Sequence, residues 1–138
     1  MTASLEIRAM ASATESLGRL AACSSGYLGT AGWWARLADA LDDLRDQIAR
    51  ADMPGLAAQL VADAPELASS AMRLPELDDQ AQADAALLRL EVADKAGLRS
   101  EARSIREALR VLLDRVRRIE RISDDLLHDT YQRDFGGG

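Results

Sequence analysis

Two side chains in this sequence could act as a nucleophile and its base: Cys23 and His128, the only cysteine and the only histidine. A thiol–imidazole pair supports nucleophilic catalysis if the fold joins its members. Here they lie 105 positions apart, and neither sits in a nucleophile motif. The plainer reading of Cys23 is a small buried apolar residue at a helix end. His128 reads as a helix C-terminal residue whose partial positive charge suits the helix dipole. One cysteine leaves no internal disulfide and one histidine no His-based metal cluster, so neither a metal nor a cofactor is expected. No phosphate-binding glycine–lysine loop, dinucleotide fingerprint, HExxH or CxxC occurs. The adjacent acids Asp42–Asp43 and Asp78–Asp79 would point in different directions on a helix, so neither is a ready acid–base dyad. The chain does not read as an enzyme.

The elements that must carry these residues are helical. Of 138 residues, 48% are hydrophobic and 29% charged, the balance of one ordinary globular domain. Aromatics are only 4%, Val and Ile total nine, and Asn is absent; Leu and Ala dominate, which favours helix over sheet. No apolar run is long enough for a membrane span, and Glu6, Arg8, Glu15 and Arg19 break up the stretch where a signal peptide would lie. The expectation is a soluble, cytoplasmic chain. Its net charge is −6, with 16 Arg and the single Lys95, a usage that resembles GC-rich bacterial coding.

A first, loosely patterned helix is expected over 4–22, with Ser4 as N-cap, and Gly26, Gly29 and Gly32 make 24–32 a flexible connection. Residues 31–52 carry a clean heptad seam: Trp34, Leu37, Leu41, Leu44, Ile48 and Ala51. Trp34 is assigned to the core and Trp33 to a half-exposed flank; the sharper alternative is that Trp33 marks a contact site. Residues 53–79 read as two short helices, begun by Pro54 and Pro65 and stopped by Pro75. From 78 to 128 one long pattern follows, with Leu98, Ala102, Ile105, Leu109, Leu112, Val116, Ile119, Ser123 and Leu126 at alternating spacings of 4 and 3. A continuous helix over 80–128 would be about 73 Å long, against a radius of gyration of about 14 Å for a compact domain. Gly97 is the one candidate break, and elongation is the favoured outcome. The predicted fold is all-α: an elongated antiparallel bundle or helical hairpin over 1–128 with a long C-terminal amphipathic helix, then a flexible tail over 129–138.

Arg99, Arg103, Arg106, Arg110, Arg117 and Arg121 flank the last seam at helical spacing. They could form an anion-binding or nucleic-acid groove. The acidic run from Asp39 to Glu91 offers a structural use instead, interhelical pairs that set the register of an antiparallel bundle. No aromatic is interleaved with the arginines and the chain is acidic overall, so nucleic acid is the less favoured partner.

The apolar stripe of the last helix is rich, and its helical mates earlier in the chain are alanine-heavy. A stripe without cover is an interface. The expected partner-binding residues are Ile105, Leu109, Leu112, Leu113, Val116, Ile119, Ile122, Leu126, Leu127 and Tyr131. The long seam, the Ala51-Asp52-Met53-Pro54-Gly55-Leu56 turn into a short helix, and the last amphipathic helix followed by Tyr131 and a glycine-containing tail resemble the FlgN family over roughly 34–136. The family's last helix usually carries an Asn-containing segment where this chain has Arg106-Glu107-Ala108. That resemblance implies a bacterial, cytoplasmic flagellar type III export chaperone. Such a protein would hold the C-terminal helical regions of hook–filament junction proteins and deliver them to the export apparatus. The alternatives are a homo-oligomeric coiled-coil scaffold or adaptor using the stripe on itself, and a regulator binding an anion or nucleic acid through the Arg stripe.

Overall fold

The computed structural model describes the backbone of residues 2–136 and the side chains of 10–130. The helices are α1 (Thr2–Ala21), α2 (Ala31–Ala51), α3 (Met53–Asp63), α4 (Ala68–Ala71), α5 (Arg73–Lys95) and α6 (Ala102–Gly136). Short 3₁₀ turns at Pro65–Leu67 and Arg99–Glu101 precede α4 and α6. No strand is present among the described residues. The all-α bundle expected from composition is the observed class.

Four long helices form the bundle. α1 packs on α2 and α6, and α5 on α2 and α6. Thr14 meets Glu120, and Ala21 meets Arg110, so α1 and α6 run antiparallel. Short connections at 22–30 and 96–101 turn α1 into α2 and α5 into α6. The shorter α3 and α4 sit at one end against α5 and the far part of α6.

Local chemistry sets these boundaries. The Thr30 hydroxyl caps α2 by accepting from the Trp33 N–H at 3.2 Å. Asp52 adopts φ +47, ends α2 and at once caps α3, its carboxylate accepting from the Gly55 N–H at 3.2 Å. Asp tolerates this left-handed backbone better than most residues. Pro75 does not stop a helix: it is the third residue of α5, in the first turn, where a missing N–H has no intrahelical acceptor to lose.

The long helix expected over 80–128 is broken. Ala96 and Gly97 leave the helical region, Gly97 at φ +86, and α6 starts afresh at Ala102. Leu98 therefore lies in the turn, 51% exposed, and does not open the seam. α6 in turn outruns its expected end. Residues 129–136 are helical where a tail was expected, because neither glycine nor proline interrupts the chain between Gly97 and Gly136.

The core is built from the two seams. On α2, Leu37, Leu41, Leu44 and Ile48 are buried; on α6, Ala102, Ile105, Leu109, Leu112, Val116, Ile119 and Leu126. Fully burying such a side chain contributes about 1.5–3 kcal/mol. α5 faces them with Leu74, Ala81, Ala85, Leu88 and Val92. The alanines let the neighbouring backbones approach and take up large side chains, so the cover that looked too thin in sequence is sufficient. Trp33 corrects a second expectation. It is fully buried, its indole N–H donates to the Leu20 carbonyl at 3.0 Å, and it meets Trp34 edge to face at 4.9 Å. It joins α1 to α2 inside the fold and is no free contact site.

Two glycines with positive φ should respond differently to substitution. A Cβ on Gly29 (φ +78) would fall 2.9 Å from Ala102 Cβ and 3.1 Å from Arg99 Cγ, whereas one on Gly97 would meet open space. Gly97→Ala is expected to cost about 1–2 kcal/mol, the backbone contribution alone. Gly29→Ala adds overpacking of about 1–3 kcal/mol. Urea melts of the two variants would give equal losses if the 22–30 loop does not press against the start of α6.

Candidate functional site

Cys23 and His128 do not form a pair. Cys23 follows α1, near the level of Arg110 on α6, while His128 lies on α6 some eighteen residues further, about 27 Å along the axis. Among the described residues no group of three or more His, Cys, Asp or Glu could hold a metal ion.

The carboxylates with shifted titration are Asp78 and Glu120. Asp78 is buried on α5; Oδ2 accepts from Gln82 Nε2 at 2.7 Å, and Oδ1 has no partner. Burial raises its pKa to about 6, against the Gln82 hydrogen bond and with added repulsion from Asp79 and Asp52. Burial likewise raises Glu120, opposed by its hydrogen bond with Thr14 and by Arg117. The Thr14 hydroxyl lies 2.8 Å from the Met10 carbonyl and 2.7 Å from Glu120 Oε1. One hydroxyl proton serves one acceptor at a time, so Thr14 divides its proton between the Met10 carbonyl and Glu120 Oε1.

The arginine stripe faces α1 and not the acidic run. Arg99 Nη2 donates to the Gly26 carbonyl and Arg110 Nη2 to the Ala21 carbonyl, both at 3.4 Å, and Arg110 also pairs with Glu107 at 2.6 Å. These contacts serve carbonyls at and beyond the C-terminus of α1, where a cation is favourable. Arg117 packs over Gly18, Arg106 is half-buried with Nε unpartnered, and Arg103 and Arg121 are exposed. Acidic residues of α2 and α5 do pair between helices, Asp42 with Arg89 at 3.0 Å and Asp84 with Arg115, and neither of these arginines belongs to the stripe.

The expected partner-binding stripe is spent on the fold. Ile105, Leu109, Leu112, Leu113, Val116, Ile119 and Leu126 are buried, Ile122 and Leu127 are half-buried against the core, and the side chain of Tyr131 lies outside the described residues. The physical reason is full cover: α6 is packed by α1 and α5 along the bundle and by α3 and α4 beyond it.

Among the described residues, large apolar side chains are exposed at Met72, at Leu98 in the turn, and on the outer side of the α5–α6 hairpin. Leu87 is 62% exposed, Leu90 68% and Val111 55%. Leu87 and Val111 border one cleft of about 260 Å³ between α5 and α6, floored by Leu88, Ala108 and Leu112 and edged by Asp84, Glu91 and Arg115. Leu90 stands one turn along the same side of α5. A trace of this was present in the sequence: Leu87 and Leu90 share one side of a helix and Leu88 points to another, so the three cannot all face one core. No helix among the described residues is long and apolar enough to cross a membrane. The chain matches no protein-family model, no curated protein and no solved structure.

Proposed function

We propose that this chain is a helical protein-binding module that works through the outer face of the α5–α6 hairpin. The observation that carries this reading is that Leu87 and Val111, each more than half exposed, border a shallow interhelical cleft, with exposed Leu90 one turn further along α5. Large apolar side chains gathered on one face, rimmed by charge, are what a protein interface leaves visible when its partner is absent. An export-chaperone role of the kind the FlgN resemblance implies belongs to the same class. It would use this face in place of the α6 seam, because an amphipathic helix needs an apolar groove that the fold has not filled.

The test is a photo-crosslinking residue placed at Leu87, with one at exposed Ala35 of α2 as control, in cells producing the full chain. Adducts at position 87 well above those at position 35 are expected, and their mass tells a second copy from another protein. Equal or absent adducts at position 87 would remove the proposal.

A further inference from the structure

We infer that α3 and α4 form a lid closed by acid: a proton on Asp78 locks them onto the end of the bundle, and its loss lets them lift while the four long helices stay folded. The device is separate from the α5–α6 face and does not depend on that reading.

Asp78 is only 2% exposed, although its acidic neighbours on α5, Glu76 and Asp79, face water. Its Oδ2 accepts from Gln82 Nε2 at 2.7 Å, and its Oδ1 has no partner. An ionised carboxylate kept from water needs donors on both oxygens and a compensating cation. Among the described residues no cation pairs with Asp78. Asp52, between α2 and α3, instead adds like charge from across the interface, as Asp79 does from the next position. The other ionisable groups toward this end turn elsewhere. On α2, Arg45, Asp46 and Arg50 are exposed, the last two paired at 3.0 Å. Asp63 is exposed at the far end of α3, and α4 has no ionisable residue. On α6, Glu120 turns to Thr14, and Arg118, Arg121, Asp124, Asp125, His128 and Asp129 are exposed. Two events relieve the buried carboxylate: protonation, or the entry of water.

Water enters most readily by way of α3 and α4. The helices α1, α2, α5 and α6 close on one another without them. α3 holds on through Met53, Leu56, Ala57 and Leu60, and α4 buries Ala71 alone. Asp52 at φ +47 and Ala64, outside the helical region, separate α3 from its neighbours, so it can move without distorting α2. Met53 Sδ lies 3.5 Å from Ser123 Oγ, which seats the first turn of α3 on the far part of α6, next to Asp52. A segment with so little buried apolar surface opens locally at a lower free energy than the whole molecule. Lifting it hydrates the carboxylate and uncovers α6 around Ser123. Burial raises the pKa of Asp78 from 3.8 to about 6, so the closed lid holds the proton more tightly than the open one. Closure is therefore fully supported below about pH 4, weakens as pH rises toward 6, and gains nothing from Asp78 above it.

Hydrogen exchange of the full chain at a series of low urea concentrations tests this, with rates corrected for intrinsic exchange. The amides of Leu60 and Ala64 should exchange through an opening that urea barely promotes. Those of Leu41 and Leu44 should await global unfolding, with its full urea dependence. The lid's opening constant should rise at least about tenfold from pH 4.5 to pH 7.5. In Asp78→Asn that rise should vanish. In Gln82→Met, which keeps the length of an exposed side chain and removes its donor, the midpoint should move to higher pH. This second variant decides the matter even if Asp78→Asn fails to fold. If α3 amides share the free energy and urea slope of α2, this end opens only with the whole bundle and the lid is overturned. A pH response that survives Asp78→Asn, or a midpoint unmoved by Gln82→Met, overturns Asp78 as its lock.

Discussion

Asp78→Asn is expected to stabilise the protein at neutral pH by up to about 3 kcal/mol and to flatten its pH profile. The side chain is buried with one oxygen bonded to Gln82 and the other unpartnered, and its pKa is raised from 3.8 to about 6. The folded state therefore binds this proton more tightly than the unfolded chain does, and each tenfold gain in proton affinity is worth about 1.36 kcal/mol. Its contribution to stability is fully present below about pH 4, falls as pH rises toward 6, and is gone above it. Asparagine still accepts from Gln82 and has no charge to bury. Denaturant melts of both forms at pH 4 and pH 7.5 isolate the effect as a difference, because the remaining carboxylates are common to both. A gap between wild type and Asn variant that does not change with pH would show that Asp78 titrates as an ordinary surface acid.

Ile119→Asp should abolish or nearly abolish folding, as should Leu41→Asp. Both residues are fully buried, one on each seam. Removing the side chain alone, in Ile119→Ala, is expected to cost about 2–5 kcal/mol, a fall of roughly 5–20 °C at the two to four degrees per kcal/mol usual for this size. The carboxylate adds the burial of an unpaired charge. The distinction matters for function. If the α6 seam were a surface kept free for capture, Ile119→Asp would leave the melt intact and abolish binding alone. A melt that survives Ile119→Asp while Leu41→Asp unfolds would return the seam to the surface.

The two seams were legible because Leu and Ile at spacings of 3 and 4 leave a helix one way to face a core. What covers a seam is not written in the seam. Ala81 and Ala85 look like poor mates, yet a methyl side chain brings the backbones close enough for Ile119 and Leu112 to be enclosed. The break at Gly97 was visible only as a candidate, since one glycine inside a helix costs about 1 kcal/mol and is often tolerated. It becomes decisive because folding back lets α6 bury its seam on α5, a gain many times larger. Trp33 defied its spacing for a related reason: its burial depends on the Leu20 carbonyl at the end of another helix. The arginine spacing was plain, but not which neighbour it faced, and α1 rather than the acidic run lies there. The candidate site at Leu87, Leu90 and Val111 was hidden because its leucines blend into a continuous helical pattern until the turn at Gly97 separates two helices.

The up-and-down path of the bundle also fixes an order of assembly. The α1–α2 and α5–α6 hairpins close through connections of a few residues and lose little chain entropy in forming. The α1–α6 seam joins residues such as Thr14 and Glu120, 106 positions apart. During synthesis α6 emerges after α1, α2 and α5, so Leu17 and Met10 wait for their final neighbour until α6 is made. Local hairpins first and one distant closure last is a path of low average contact separation, which favours rapid folding.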